Sequence, residues 1–399
     1  LEVLALAKEA VRHQQIPTAE DVVSVLAPRD DEKIQIEACT PPPTKHRARF
    51  HNDRLPEQER PRHLAMLLNR ALGDMLCKYD EMMIFGEDVG QKGGVYHVTA
   101  DLQSKAGVGR VFNTPLDETA ILGVAIGAGQ MGMLPVPEIQ YLAYLHNAID
   151  QLRGEACSLQ FFSQGQFQNP MVVRIAAYAY QKGFGGHFHN ANSVAAIRDI
   201  PGLIIASPSN GHDATLMLRT CMAAAKVNGL VSVFLEPIAL YMTKDLHQDK
   251  DGLWLASYPS FDDHIAIGEG KVCREGGDIT IITYANGLWM SLRAAERLKA
   301  QGIECTVVDI RWLNPLPEPL IVETALQTKR VLIVDECRKT GGMAEPIMAL
   351  LAEQTHGLEI QRITGWDTYI PLGDAANLVL VQEQDIEAKI IQMVKGENV

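Results

Sequence analysis

The sequence predicts an α/β protein with two parallel-sheet domains behind a helical N-terminal extension. From about residue 62 onward, short apolar runs alternate with longer helical stretches, as in parallel strands joined by crossover helices. A segment of weak periodicity, residues 244–263, interrupts the alternation, which then resumes. The length of 399 residues also exceeds that of one typical domain.

Residues 1–60 are predicted to form a helical extension followed by a linker. Residues 1–26 have the pattern of two short helices, and Thr18 is placed to cap the second. Residues 28–60 contain three consecutive prolines and dense charges, so we expect this linker to be extended or mobile. A start at Leu1 rather than Met is consistent with processing or excision from a longer chain.

The first α/β domain is predicted over residues 61–250 and the second over residues 265–399. Predicted strands of the first domain are 82–85, 134–136, 171–175, 203–206 and 231–235, with helices at 118–131, 144–157 and 212–225. Predicted strands of the second are 279–283, 306–308 and 331–334, with helices at 288–300 and 342–353.

Composition excludes several classes of function. The net charge of −13 would repel nucleic acids and anionic membranes. No apolar run approaches the roughly 20 residues that span a bilayer, and the start lacks the pattern of a secretion signal. Seven scattered cysteines without a C-x-x-C pair favour reduced core thiols. We therefore expect a cytoplasmic protein.

An acidic pair stands where a predicted strand leads into an apolar helix. Asp117 is placed to cap this helix, and Glu118 begins it. A first-turn carboxylate is also favoured by the helix dipole alone, so the pattern leaves open whether Glu118 is catalytic. Gly123, Gly127 and Gly129 follow within the helix, where close helix packing is the preferred interpretation.

A glycine-rich loop, residues 183–189, follows another predicted strand and carries His187 and His189. Two histidines at this spacing could contribute to a metal site. Because no third ligand is suggested, contact with a substrate is favoured. No phosphate-binding glycine signature is present.

These motifs together resemble the beta subunit of the thiamine-diphosphate-dependent 2-oxo acid dehydrogenases, from about Arg62 to the end. The motifs that carry the resemblance are, in order, Gly86-Glu87-Asp88-Val89, Gly93-Gly94-Val95-Tyr96, Asn113-Thr114-Pro115-Leu116-x-Glu118, Glu138-Ile139-Gln140, Ala148-x-Asp150-Gln151, Thr340-Gly341-Gly342 and Gly365-x-Asp367-Thr368. The resemblance implies a transketolase-like pyrimidine-binding domain followed by a transketolase-like C-terminal domain.

The resemblance also implies roles for single residues. Glu118 would hydrogen-bond a ring nitrogen of the cofactor's aminopyrimidine, and Tyr144 would stack on the same ring. Leu116 and Gln140 would line the pyrimidine pocket. His189 would face the reacting keto acid, a task that suits imidazole because it exchanges protons near neutral pH. The role of His187 is left open.

Further implications concern partners. The family's Gly-Asp-Gly magnesium motif is absent, so magnesium would come through an alpha-type partner and the chain alone would be inactive. The acyl group would pass to the lipoyl arm of a dihydrolipoyl acyltransferase component, within a multienzyme complex built on two alpha and two beta parts.

The extension is compatible with the tail of a fused alpha part. A branched-chain substrate is favoured, with pyruvate and acetoin left open.

Two other interpretations of the sequence are left open. A transketolase-like enzyme component shares the fold but normally carries its own diphosphate domain, which this chain lacks. A non-catalytic paralogue acting as an assembly partner is disfavoured because Glu118, Tyr144 and His189 are retained. His146 and Asn147 depart from the family pattern after Tyr144.

Overall fold

The computed structural model describes residues 2–13, 15–181 and 186–396. Its strands are β1 (Met82–Gly86), β2 (Val111–Asn113), β3 (Leu134–Ile139), β4 (Met171–Ala177), β5 (Ile204–Ala206), β6 (Val231–Pro237), β7 (Lys271–Arg274), β8 (Ile279–Thr283), β9 (Cys305–Asp309), β10 (Trp312–Asn314), β11 (Arg330–Arg338) and β12 (Glu359–Gly365). Every strand predicted from the sequence overlaps one of these.

The strands form two sheets. One has the order β10-β5-β6-β4-β3-β1-β2 and the other β12-β11-β8-β9-β7. All pairs are parallel except β10 with β5 and β7 with β9. The predicted α/β class with two parallel-sheet domains is confirmed.

The helices cover the faces of the sheets and form the N-terminal extension. They are α1 (Glu2–Ala10), α2 (Ala19–Val23), α3 (Asp31–Cys39), α4 (Thr44–Phe50), α5 (Leu64–Lys78), α6 (Leu102–Ala106), α7 (Glu118–Gln130), α8 (Leu159–Phe162), α9 (Ala195–Arg198), α10 (Gly211–Asn228), α11 (Ala285–Lys299), α12 (Glu318–Thr328), α13 (Ala344–Gln354) and α14 (Glu383–Lys395). Thr18 caps α2 as predicted, because its hydroxyl accepts a hydrogen bond from the Asp21 amide at 3.1 Å.

The segment predicted as one helix, residues 144–157, is helical through Ala156, but the implied single regular helix is wrong. The chain instead forms a 3₁₀ segment, Leu142–Ala148, followed by a π-helical turn, Gln151–Ala156. The buried side chains of Leu142, Leu145 and Ala148 recur every third residue. A 3₁₀ helix places residues i and i+3 on one line, so this spacing buries all three side chains.

The expectation of an extended or mobile linker over residues 28–60 is also wrong. Helices α3 and α4 occupy much of it, and Arg47 of α4 is buried. Its Nε donates to Oδ1 of Asp74 on α5 at 2.8 Å, and its Nη2 donates to Oδ2 at 2.9 Å. His51 and Tyr258 complete the surroundings of the same carboxylate, at 2.8 and 2.6 Å. Arg47 is therefore a docking contact, while most other charged side chains of the segment remain exposed.

The two sheets share an apolar core. Ile205 and Val233 from the first sheet belong to the same buried cluster as Ile282 and Ile333 from the second. Polar contacts cross the boundary as well, since the Asn192 side-chain amide donates to the Glu336 carbonyl at 2.8 Å. The domains are thus packed together around the loops that follow their strands.

The structure tests the expectations for the cysteines and for membrane-spanning segments. All seven cysteines are free thiols, and Cys77, Cys221, Cys305 and Cys337 are buried. The other three are partly exposed, so the expectation of core thiols holds for four positions. Within the described residues, no helix is both long and apolar enough to cross a membrane.

Candidate active site

Glu118 lies at the start of α7, near the carboxyl ends of β1, β2 and β3. The strand register aligns the last residue of β1, Gly86, with Asn113 of β2 and Glu138 of β3. A side chain at Gly86 would place its Cβ 2.4 Å from the Glu138 carbonyl oxygen, so only glycine allows the strands to meet here. In parallel α/β sheets this edge, where the strand order turns, is the usual ligand site.

The geometry of the first turn of α7 positions the Glu118 carboxylate. Asp117 caps the helix as predicted, because its Oδ1 accepts a hydrogen bond from the Ala120 amide at 3.3 Å. Glu118 is only 7 % exposed. Its Oε2 accepts a hydrogen bond from Nδ2 of Asn147 at 3.3 Å. Within the described part of the chain, Oε1 has no hydrogen-bond partner.

Glu87 brings a second carboxyl group to this edge. Burial raises the pKa of Glu87, and the negative charges of Asp88 and Glu118 raise it further. From the sequence, Glu87 was recognised as part of a family motif but was not predicted to be a site residue. Its position directly after a buried strand was the signal that could have identified it.

Three aromatic rings, those of Tyr141, Tyr144 and His189, pack together in the segments that follow β3 and β4. The Tyr144 hydroxyl lies 3.4 Å from Nε2 of His189. The Tyr141 ring packs edge-on against both neighbours, with centroids 5.6 Å from Tyr144 and 4.7 Å from His189. Burial raises the pKa of Tyr144, with smaller contributions from Tyr141, Glu87 and Glu118. The structure therefore brings Glu118, Tyr144 and His189 into one neighbourhood.

His187 points to a different set of neighbours. Its ring lies 4.0 Å from that of Phe188 and 5.0 Å from that of Tyr369, which belongs to the second domain. The loop that carries both histidines thus contacts both domains. Gly183 and Gly185, which the sequence analysis included in this loop, lie outside the described residues.

Gln140 and Leu116 occupy different environments. Gln140 is half-buried and lines a cavity of about 10 Å³, next to a buried ion-pair network. In this network Arg174 donates to Glu236 at 2.7 and 2.9 Å and to Glu138 at 2.7 Å. Leu116 is 72 % exposed, so it contributes to a pocket wall only where another chain covers it.

Two of the three glycines of α7 do not serve helix packing within this chain. A Cβ at Gly129 would meet Pro170 at 3.3 Å, whereas a Cβ at Gly123 or Gly127 would meet no atom within 4 Å. Close packing within this chain is therefore found at Gly129 and not at Gly123 or Gly127. They lie on the helix face that points away from the core, beside Val124, which is also exposed.

The described residues contain no group of three or more His, Cys, Asp or Glu side chains arranged to hold a metal ion. The groups available at the strand edge are a carboxylate that accepts hydrogen bonds and a cluster of aromatic rings. Such a set suits a flat, heteroaromatic ligand that donates a hydrogen bond.

The two α/β domains of the chain match two different domain families. Residues 61–242 match the family described as transketolase, pyrimidine binding domain, and residues 268–386 match transketolase, C-terminal domain.

Curated relatives match across both halves. The chain is 35% identical over 313 residues to the 2-oxoisovalerate dehydrogenase subunit beta of Pseudomonas aeruginosa, covering 76% of this chain and 87% of the relative. It is 33% identical over 331 residues to the pyruvate dehydrogenase E1 component subunit beta of Staphylococcus epidermidis, covering 81% and 95%.

Two solved structures share the fold. A split-gene transketolase, described as an inactive beta4 tetramer, has a TM-score of 0.66 at 21% identity and covers 84% of this chain and 99% of its own. A transketolase from Pichia stipitis has a TM-score of 0.62 at 13% identity and covers 92% and 50%.

Proposed function

Because this chain belongs to the family of 2-oxo acid dehydrogenase beta subunits, we propose that it supplies the pyrimidine half of a thiamine diphosphate site. The reaction served is the oxidative decarboxylation of a 2-oxo acid, with transfer of the acyl group to lipoyl. The observation that carries the proposal is the buried Glu118 carboxylate at the strand edge, with one oxygen free to accept a hydrogen bond.

The residues present fit the pyrimidine half of the cofactor. An aminopyrimidine ring needs a carboxylate acceptor at its edge and an aromatic or apolar surface on its face. Glu118 supplies the first, and Tyr144, on the same 3₁₀ segment as the Asn147 that contacts Glu118, supplies the second. The diphosphate half has no such fit, because the metal-ligand cluster that would hold magnesium and phosphates is not found among the described residues. We assign magnesium binding to an alpha-type partner.

Each side chain contributes a separate effect. Thiamine diphosphate, when bound, supplies the electron sink for the loss of carbon dioxide. Glu118 would accept the hydrogen of a ring nitrogen through a charge-assisted bond, which would hold the ring in place and favour one tautomer. The Tyr144 ring would cover the face of the pyrimidine and exclude water, and exclusion of water would strengthen the Glu118 contact.

His189 takes the position next to the substrate in this proposal. Its Nε2 lies beside the Tyr144 hydroxyl, so the imidazole is held at the edge of the same pocket. There it would donate a hydrogen bond to the keto acid or to its acyl product. Leu116 and the open face of α7, with Gly123 and Gly127, are surfaces that the other chains of the assembly would cover.

The decisive experiment is isothermal titration of thiamine diphosphate with magnesium. The ligand is added to this chain alone and to mixtures with alpha-type chains, and decarboxylation of 3-methyl-2-oxobutanoate and pyruvate is followed in parallel. We expect tight binding and turnover only in a mixture, with both lost in Glu118→Gln, which keeps the size of the side chain but removes its charge. If no alpha-type chain restores either property, an assembly role without catalysis is the better account.

A further inference from the structure

We propose that Asn147 is a positioning residue for Glu118, which it orients so that one carboxylate oxygen remains for the cofactor. The proposal rests on the proposed function of the Glu118 site. It is carried by a contact between two segments that are distant in sequence. Nδ2 of Asn147 donates to Oε2 of Glu118 at 3.3 Å.

A second contact fixes Asn147 itself. Its backbone carbonyl accepts a hydrogen bond from the Thr119 hydroxyl at 2.6 Å. Thr119 follows Glu118 in the first turn of α7, so both contacts join the 3₁₀ segment, Leu142–Ala148, to the same helical turn. The amide of Asn147 is therefore presented to Glu118 from an anchored backbone.

Orientation of the carboxylate is the expected consequence. The last torsion of a glutamate side chain has a broad energy profile, so an unrestrained carboxylate samples many orientations. A donor at Oε2 restricts this torsion. Since Oε1 has no partner among the described residues, it is the oxygen left to accept a hydrogen bond from a ligand.

The neutrality of the amide also matters at this site. Glu87 already places a second carboxyl group in this region, and the charge of Glu118 contributes to the raised pKa of Glu87. The charges of Glu87 and Glu118 also contribute to the raised pKa of Tyr144. An aspartate at position 147 would have almost the same shape as asparagine but would add a third acid and remove the donor. The pair of variants Asn147→Asp and Asn147→Ala therefore separates charge from shape.

The first test uses the isolated chain and requires no cofactor. With asparagine side chains labelled with ¹⁵N, the amide resonance of Asn147, assigned by its loss in Asn147→Ala, should shift in Glu118→Ala. It should remain in place in His146→Ala, which alters the neighbouring exposed residue. An unchanged Asn147 resonance in Glu118→Ala would show that the contact is absent and would overturn the proposal.

The second test measures binding of thiamine diphosphate with magnesium in the mixture with an alpha-type chain. Asn147→Ala should weaken binding about fivefold, the effect of losing one hydrogen bond to a charged group near the surface. Asn147→Asp should weaken it more than tenfold, because it removes the donor and adds a carboxylate beside Glu118. His146→Ala should bind like the unaltered chain.

The outcomes distinguish failure of the proposed function from failure of the positioning role of Asn147. If the unaltered mixture binds no cofactor, the proposed function fails, and the positioning role fails with it even if the resonance test succeeds. If the unaltered mixture binds cofactor but both Asn147 variants bind equally well, only the positioning role is overturned. Equal weakening by Asp and Ala would indicate a purely structural role and would also overturn it.

Discussion

The hydroxyl of Tyr144 lies 3.4 Å from Nε2 of His189. These residues come from segments that follow two different strands, β3 and β4, and their rings meet only because those strands are neighbours in the sheet. One aromatic side chain thus has two tasks in the proposed site. Its ring faces the cofactor, and its hydroxyl holds the histidine.

The two tasks of Tyr144 predict different effects for two substitutions. Tyr144→Phe keeps the ring and removes the hydroxyl, so cofactor affinity should change less than twofold while kcat/KM falls about three- to tenfold, as for one lost hydrogen bond. Tyr144→Ala should weaken cofactor binding as well. Titration and steady-state kinetics of the reconstituted assembly measure both. Equal cofactor affinities for the Phe and Ala variants would contradict a role of the ring.

Docking of the extension depends on the buried pair of Arg47 and Asp74. Arg47→Met should lower the free energy of unfolding by about 3 to 5 kcal/mol, because it leaves the Asp74 carboxylate buried with fewer partners. Urea unfolding of the isolated chain measures this change. Arg49→Met, two residues further along α4 at an exposed position, is the matched control and should change it little. Equal effects of the two substitutions would mean that the segment is not docked in solution.

Asp309 makes stability fall as pH rises. Burial, together with the charge of Asp213, raises the pKa of Asp309 from its ordinary 3.8 to about 7. The folded chain therefore binds this proton more tightly than the unfolded chain, so ionisation of Asp309 costs folding free energy. Between pH 5 and pH 8 this residue alone should lower the free energy of unfolding by about 2 to 3 kcal/mol.

Chemical denaturation at the two pH values tests this contribution. Asp309→Asn should lose less stability between pH 5 and pH 8 than the unaltered chain, by that same amount. Asp249→Asn removes a carboxylate from an exposed loop position and should leave the pH dependence as it is. If Asp309→Asn keeps the original pH dependence of stability, that dependence arises from other buried acids. The foremost of these is Glu336, because burial raises its pKa to about 8.

The open face of α7 predicts a separation between folding and assembly. Gly127→Leu places a side chain where no atom of this chain lies within 4 Å of the new Cβ. Because leucine favours a helix more than glycine does, the isolated chain should be at least as stable as before, by up to about 1 kcal/mol. Association with other chains, measured by sedimentation, should weaken at least tenfold. Gln327→Leu adds the same side chain to an exposed position of α12 and should leave association unchanged.

The sequence determined the local elements and the chemistry of single positions. Alternating apolar runs predicted the strands, because a strand buried on both faces needs a continuous apolar sequence. Asp117 and Thr18 predicted two helix starts, because a cap acts within three residues. The motif around Glu118 indicated the family, and the roles of Glu118, Leu116, Gln140, Tyr144 and His189 stay predictions from it.

Contacts between distant segments were decided by the tertiary structure. The charges of residues 28–60 predicted a solvated linker, but Asp74, contributed by another helix, makes a buried site for Arg47. The Asn147 amide reaches Glu118, and the Glu118 charge acts on the Glu87 carboxyl, only because the sheet brings the ends of its strands together. A periodic pattern reports which face of an element is apolar, whereas the partner that neutralises a buried charge is set by the packing of the whole chain.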